Sequence, residues 1–202
     1  MIALIDYKAG NLTSVRKALS AVGVDFVVPD SPDVCGEAAG LIVPGVGNFA
    51  ATEAITSEWR AAIGSAVERG RPLLGICVGM QWLFEGSEEA PEVPGLGLMP
   101  GRVARLDGDA ANRLKVPHVG WNALDFTARA SRLLRGVEPG APVYFTHSYA
   151  APVTADCVAS TSHANTFSAV VERDNVFGVQ FHPEKSSDAG LQILRNFLDA
   201  CR

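Results

Sequence analysis

Gly75-Ile76-Cys77-Val78-Gly79 sets a cysteine between two glycines, where an apolar run from Pro72 to Ile76 meets a short helical stretch from Val78 to Phe84. This is the G-x-nucleophile-x-G spacing of a nucleophile elbow, with sulfur in place of hydroxyl. The turn strains the nucleophile's backbone and brings neighbouring backbones too close for side chains, which is why glycines flank it. Such a turn exposes the sulfur at a helix N-terminus that favours thiolate over thiol, and aims the Val78 N–H at a developing oxyanion. Read alone, the segment describes a structural cysteine buried in a tight β-to-α turn equally well.

A thiol nucleophile needs a base. Of the four histidines, His182 closes the apolar run from Val176 to Phe181 and precedes Pro183-Glu184. Proline keeps the residue before it extended, and residues two apart in an extended segment share a face. Glu184 can therefore hold one tautomer of His182 and leave the other ring nitrogen for Cys77, the logic of a nucleophile, base and orienter. Taken singly, a strand-end histidine and an exposed glutamate are ordinary. His118, His147 and His163 have no such neighbour and read as structural, and no His, Cys, Asp or Glu group has metal-ligand spacing.

Gly45-Val46-Gly47 follows another apolar run, Leu41 to Val43. Parallel strands present their C-terminal ends on one edge, so an N–H of Val46 or Gly47 together with that of Val78 would make a two-donor oxyanion hole. With Ala50 the loop also fits G-x-G-x-x-A, a dinucleotide fingerprint. That match is weak alone, follows the third strand rather than the first, and comes after Pro44.

The elements that must position these groups alternate in the first half. Ile2 to Ile5, Asp25 to Val28, Leu41 to Val43 and Pro72 to Ile76 read as strands. Leu12 to Val22 and Thr52 to Arg69 read as helices, the second stopped by Gly70. Such alternation implies a parallel sheet covered by helices on both faces. Beyond a Pro- and Gly-rich stretch from Pro91 to Gly101, strand-like pieces follow at Arg102 to Leu106, Trp121 to Phe126, Val143 to Tyr149 and Phe167 to Glu172. Arg173-Asp174-Asn175 marks a hairpin into Val176 to Phe181, and Asp188 to Ala200 is an amphipathic helix with Leu191, Leu194, Phe197 and Leu198 inward. The expected fold is α/β, a single-domain three-layer architecture over residues 1–202, its open mixed sheet mostly parallel and antiparallel at one edge.

Composition agrees with a globular chain that can bury a core. Of 202 residues 48% are apolar and 19% charged, which excludes a disordered chain. Lys plus Arg total 17 against 22 Asp plus Glu, a net charge of −5 that argues against a nucleic-acid surface. The scattered Cys35, Cys77, Cys157 and Cys201 suit a reducing compartment, and no stretch reads as a signal peptide or a membrane span. A cytoplasmic protein without a membrane partner is expected.

Pro44-Gly45-Val46-Gly47, Gly75 to Gly79 with Met80-Gln81, and His182-Pro183-Glu184 together resemble the class I (triad) glutamine amidotransferases, over the whole chain. Met80-Gln81, Pro117-His118-Val119-Gly120-Trp121-Asn122 and Lys185-Ser186-Ser187 are most similar to the glutaminase subunits of imidazole glycerol phosphate synthases. The resemblance implies hydrolysis of L-glutamine through a Cys77 thioester, with His182 moving protons and Glu184 orienting it. It assigns Gly45, Gln81, Glu89, His147, Ser148 and Tyr149 to the substrate, and Val46, Gly47 and Val78 to the oxyanion. It implies no cofactor and no metal. Free ammonia would protonate in water, so a synthase must be attached, and the family's partner is a (β/α)₈-barrel cyclase subunit. Asn11, Trp121, Tyr144 and Lys185 match positions facing it. The competing readings are a glutaminase for another synthase, and a cysteine hydrolase of related fold; the second leaves Gln81 and Glu89 without a role.

Overall fold

A computed structural model describes residues 1–8, 12–108, 114–127 and 129–202. The first half holds β1 (Ile2–Leu4), α1 (Leu12–Ala21), β2 (Phe26–Val27), α2 (Val34–Glu37), β3 (Gly40–Gly45), α3 (Ser57–Glu68), β4 (Leu73–Cys77) and α4 (Val78–Trp82). Short strands β5 (Gly86–Ser87), β6 (Ala90–Pro94), β7 (Arg102–Arg105), β8 (His118–Ala123), β9 (Asp125–Phe126), β10 (Pro142–His147) and β11 (Tyr149–Ala150) follow. The chain finishes with β12 (Cys157–His163), β13 (Asn165–Arg173), β14 (Val176–Val179) and α5 (Ser187–Ala200).

Among the described residues, eight strands form the main sheet in the order β2-β1-β3-β4-β14-β13-β12-β9. Pairing is parallel from β2 to β14 and antiparallel from β14 outward, the open mixed sheet that the alternation implies. Period-two alternation splits its apolar residues between two cores. Ile2, Leu4, Ile42, Leu74 and Ile76 pack with Val15 and Leu19 of α1 and with Ile193, Leu194 and Phe197 of α5. Ala3, Ile5, Leu41, Val43 and Leu73 face the other way, against Ile63, Ala66 and Val67 of α3 and Met80 and Trp82 of α4. That is a three-layer arrangement. Its function lies in the register: Gly45 pairs with Cys77 and Val179 with Ile76, so the C-terminal ends of β3, β4 and β14 stand side by side.

Several expected boundaries differ. The single helix over Thr52 to Arg69 is two pieces, a 3₁₀ turn at Phe49–Ala54 and then α3. Side chains tie down that turn: Asn48 Oδ1 accepts the Ala50 N–H, the Thr52 hydroxyl donates to the Phe49 carbonyl, and Glu89 accepts the Phe49 N–H. These bonds compete with the helical ladder. Trp121 to Phe126 is broken at buried Leu124, whose N–H turns to the Ala141 carbonyl, so β8 pairs with β10 while β9 joins the main sheet. Val143 to Tyr149 is likewise split; β11 leaves β10 to join the small sheet β11-β7-β5-β6. On α5 the inward side is Ile193, Leu194, Asn196 and Phe197, with Leu191 and Leu198 half-buried.

Candidate active site

Cys77 ends β4 with φ 54 and ψ −111, a left-handed backbone that a non-glycine residue holds only under strain. Its flanking glycines are required by space. A Cβ on Gly75 would meet the Gly79 carbonyl oxygen at 2.5 Å, and one on Gly79 would overlap the Val43 carbonyl. The helix that follows, α4, is only five residues long, so its dipole is a small influence on the sulfur; the close side chains dominate.

His182 Nδ1 stands 2.8 Å from Glu184 Oε1, both side chains almost wholly buried. Nε2 on the far side of the ring is buried without a well-aligned hydrogen bond among the described residues, and Cys77 lies close enough to act on it electrostatically. Burial alone would disfavour the charged ring, but Cys77 and Glu184 outweigh it and raise the His182 pKa to about 9. The ring thus carries a proton at neutral pH and loses it only near pH 9, beside the attacking sulfur. A ¹⁵N NMR titration of His182 should therefore show a midpoint well above the usual 6.5, and Cys77→Ala should lower it. A wild-type midpoint below 7 would break the ion pair as described.

A cavity of about 260 Å³ opens on the sulfur. Val46, Gly47, Cys77, Val78, Gln81, Glu89, His147, Ser148, Tyr149 and His182 all line it, so the structure gathers nearly every residue that the sequence put forward. Gly45 lies behind the wall, packed against Tyr7, Val78 and Gly79. Gly47 has φ 86, open only to glycine without strain, which bends the loop after β3 past the elbow. Glu89 is anchored by the Phe49 N–H at 2.8 Å.

His147 is more constrained than its sequence position implies. The Tyr149 carbonyl can only accept, so the 2.9 Å contact fixes the proton on His147 Nδ1. Nε2 then accepts from His118 Nδ1 at 3.1 Å, and His118 Nε2 from Asn122 at 3.3 Å. Burial, reinforced by neighbouring histidines, lowers the pKa of His118 to about 4 and also lowers that of His147, to about 3. His147 therefore shapes the wall as a neutral ring with both nitrogens engaged.

Two buried groups were missed by the sequence reading. Gln180 is fully buried, with Nε2 3.7 Å from Cys77 Sγ. A lone carboxamide in an apolar strand, two residues before a candidate base, was the available signal. Tyr7 is the other, its hydroxyl buried beside Gly45 and unpartnered among the described residues; nothing in the spacing pointed to it.

Trp121, Tyr144 and Lys185 form a patch beside the triad. Trp121 is 54% exposed, its ring 6.0 Å from Tyr144, and Lys185 Nζ lies 5.7 Å over the Tyr144 ring. The His182 N–H donates to the Tyr144 carbonyl, joining the patch to the base. Asn11 lies outside the described residues.

The cysteines differ in kind. Burial pushes the Cys35 thiol up to about 11 and Cys201 to about 12, and raises Cys157 too. Limited iodoacetamide should therefore modify Cys77 first. Peptide mapping that finds the first adduct on another cysteine would contradict the site.

The family model for glutamine amidotransferase class-I matches residues 3–201. Imidazole glycerol phosphate synthase subunit HisH of Geobacillus kaustophilus is 50% identical over 98% of this chain and 96% of its own length. The protein of the same name from Halalkalibacterium halodurans is 48% identical over 98% of this chain and 94% of its own. Among solved structures, one described as a crystal structure of glutamine amidotransferase covers 100% of this chain and 99% of its own, with a TM-score of 0.76 at 19% identity.

Proposed function

The chain belongs to the class I glutamine amidotransferases, and from that premise we propose that it is the glutaminase subunit of an imidazole glycerol phosphate synthase, serving histidine biosynthesis. It hydrolyses L-glutamine to glutamate and ammonia. The observation that carries the reading is the meeting of Cys77, His182 and Glu184 at one cavity in a chain 48–50% identical to subunits of that name.

Each step has its group. Cys77 sulfur attacks the substrate's side-chain amide carbon, and the oxyanion is received by the N–H of Val78 with that of Val46 or Gly47. Collapse expels ammonia, protonated by the His182 imidazolium, and leaves a thioester. Neutral His182 then takes a proton from the water that attacks the thioester; the second oxyanion collapses, glutamate leaves, and the thiolate–imidazolium pair returns. Glu184 keeps the ring in one tautomer throughout. Glu89 and Gln81 hold the substrate's head group, where the Glu89 carboxylate suits the ammonium. With His147 saturated, the Ser148–Tyr149 segment is left to receive the carboxylate.

The relatives are named as subunits, which implies a partner. We assign a (β/α)₈-barrel cyclase subunit, which joins the ammonia to a phosphoribosyl-formimino intermediate to give imidazole glycerol phosphate and an aminoimidazole carboxamide ribotide. Trp121, Tyr144 and Lys185, with Asn11, would face it. Tryptophan is enriched among the few interface residues whose truncation costs about 2 kcal/mol or more, over tenfold in affinity. Trp121→Ala should therefore raise the Kd for the cyclase subunit at least about tenfold without moving the unfolding midpoint; calorimetric titration with an unchanged Kd would take Trp121 out of the interface.

Residues 1–202 are read as one domain, supported by β14 of the second half pairing with β4 of the first. A cytoplasmic site fits the four unpaired cysteines; among the described residues no helix is long and apolar enough to cross a membrane. The functional test is glutamine-dependent formation of imidazole glycerol phosphate when chain and cyclase are mixed. Glutamate release without that product would point to another synthase.

A further inference from the structure

Burying a carboxamide is costly unless both ends are bonded, and at Gln180 both are. Its Oε1 accepts from Gln81 Nε2 at 3.1 Å, and its Nε2 reaches Cys77 Sγ at 3.7 Å. A third group fixes these orientations. The Tyr149 carbonyl can only accept and lies 2.9 Å from Gln81 Nε2, so the Gln81 NH₂ supplies both Tyr149 and Gln180. Gln180 must then turn its own NH₂ to the sulfur. The same assignment leaves Gln81 Oε1, buried and without a partner among the described residues, on a side chain that lines the cavity. Register explains the placement: Val179 pairs with Ile76, which sets Gln180 beside Cys77, and His182 shares its side of the extended segment.

We propose that Gln180 is a further catalytic residue: its N–H donates to the Cys77 sulfur from behind the cavity wall, and through Gln81 it fixes an acceptor oxygen toward the substrate's N–H groups. The inference rests on the glutaminase reading. A donor on sulfur favours the charged form before attack, and again when the thiolate leaves the thioester on hydrolysis. The substrate's ammonium meets an oxygen that cannot flip to nitrogen without breaking two bonds.

The test uses the complex with the cyclase. Gln180→Met keeps length and apolar packing but removes donor and acceptor. It should lower kcat for glutamine about 10- to 100-fold, the range for one hydrogen bond to a charged group, and raise KM severalfold. It should also move the acid limb of the kcat/KM profile up by about one pH unit. The other titratable groups around the sulfur, His182, Glu184, Tyr7, Glu89 and His147, remain in place. Gln81→Met leaves Gln180 but removes the donor that orients it, and should move the acid limb the same way by less. A purely structural role would lower the unfolding midpoint and leave the profile's shape alone. Variants with kcat within threefold of wild type and an unmoved acid limb overturn the proposal. A wild-type complex that releases no glutamate overturns the glutaminase reading instead.

Discussion

Cys77→Ala should bring glutamine hydrolysis to the assay floor, a loss on the order of 10⁶-fold in kcat, as removing the nucleophile of a triad does. Without sulfur there is no acyl-enzyme, and His182 is left to activate water against an amide far less reactive than a thioester. Folding should survive. The side chain is small and lines a cavity, and alanine tolerates the elbow's strained backbone no worse than cysteine. The control is synthesis from added ammonium salt by the complex, which bypasses the glutaminase and should stay largely intact. Glutamine-supported turnover by the variant would remove Cys77 from the role of nucleophile.

The second large effect separates the base from its orienter. His182→Ala should cost nearly as much as Cys77→Ala, and the double variant little more than either, because the groups act as a unit. Glu184→Gln should cost less, on the order of 10⁴-fold, since a carboxamide can still touch the ring but can present its NH₂ and select the wrong tautomer. The 2.8 Å contact to Nδ1 and the near-complete burial of both side chains make that substitution consequential. Single-turnover glutamate formation resolves the ranking. Glu184→Gln at the wild-type rate would remove Glu184 from the mechanism.

Much of this was legible in the sequence because strong local rules governed it. The elbow glycines announce a steric requirement that the structure reproduces atom by atom, at Gly79 against Val43 and at Gly75 against Gly79. The apolar runs of β1, β3 and β4 are buried on both faces, so their character does not depend on register. What failed to show was set by tertiary contacts. β12 carries Ala, Ser, Thr and His with little apolar alternation, and is a strand because β13 and β9 pair with it. The 3₁₀ turn before α3 depends on Glu89, forty residues away. Gln180 gains its role only when β14 comes to lie beside β4, and His147 loses its free nitrogens only when β8 brings His118 against it.

The central claim is that Cys77 attacks the amide carbon of glutamine in this cavity. It is tested most directly by exposing the chain, complexed with the cyclase, to a glutamine analogue bearing an electrophilic carbon at the amide position, followed by mass spectrometry of the digested chain. One adduct is expected, on the peptide containing Cys77, suppressed by excess L-glutamine and absent from Cys77→Ala. An adduct on another residue, or one on Cys77 that L-glutamine does not suppress, would contradict it.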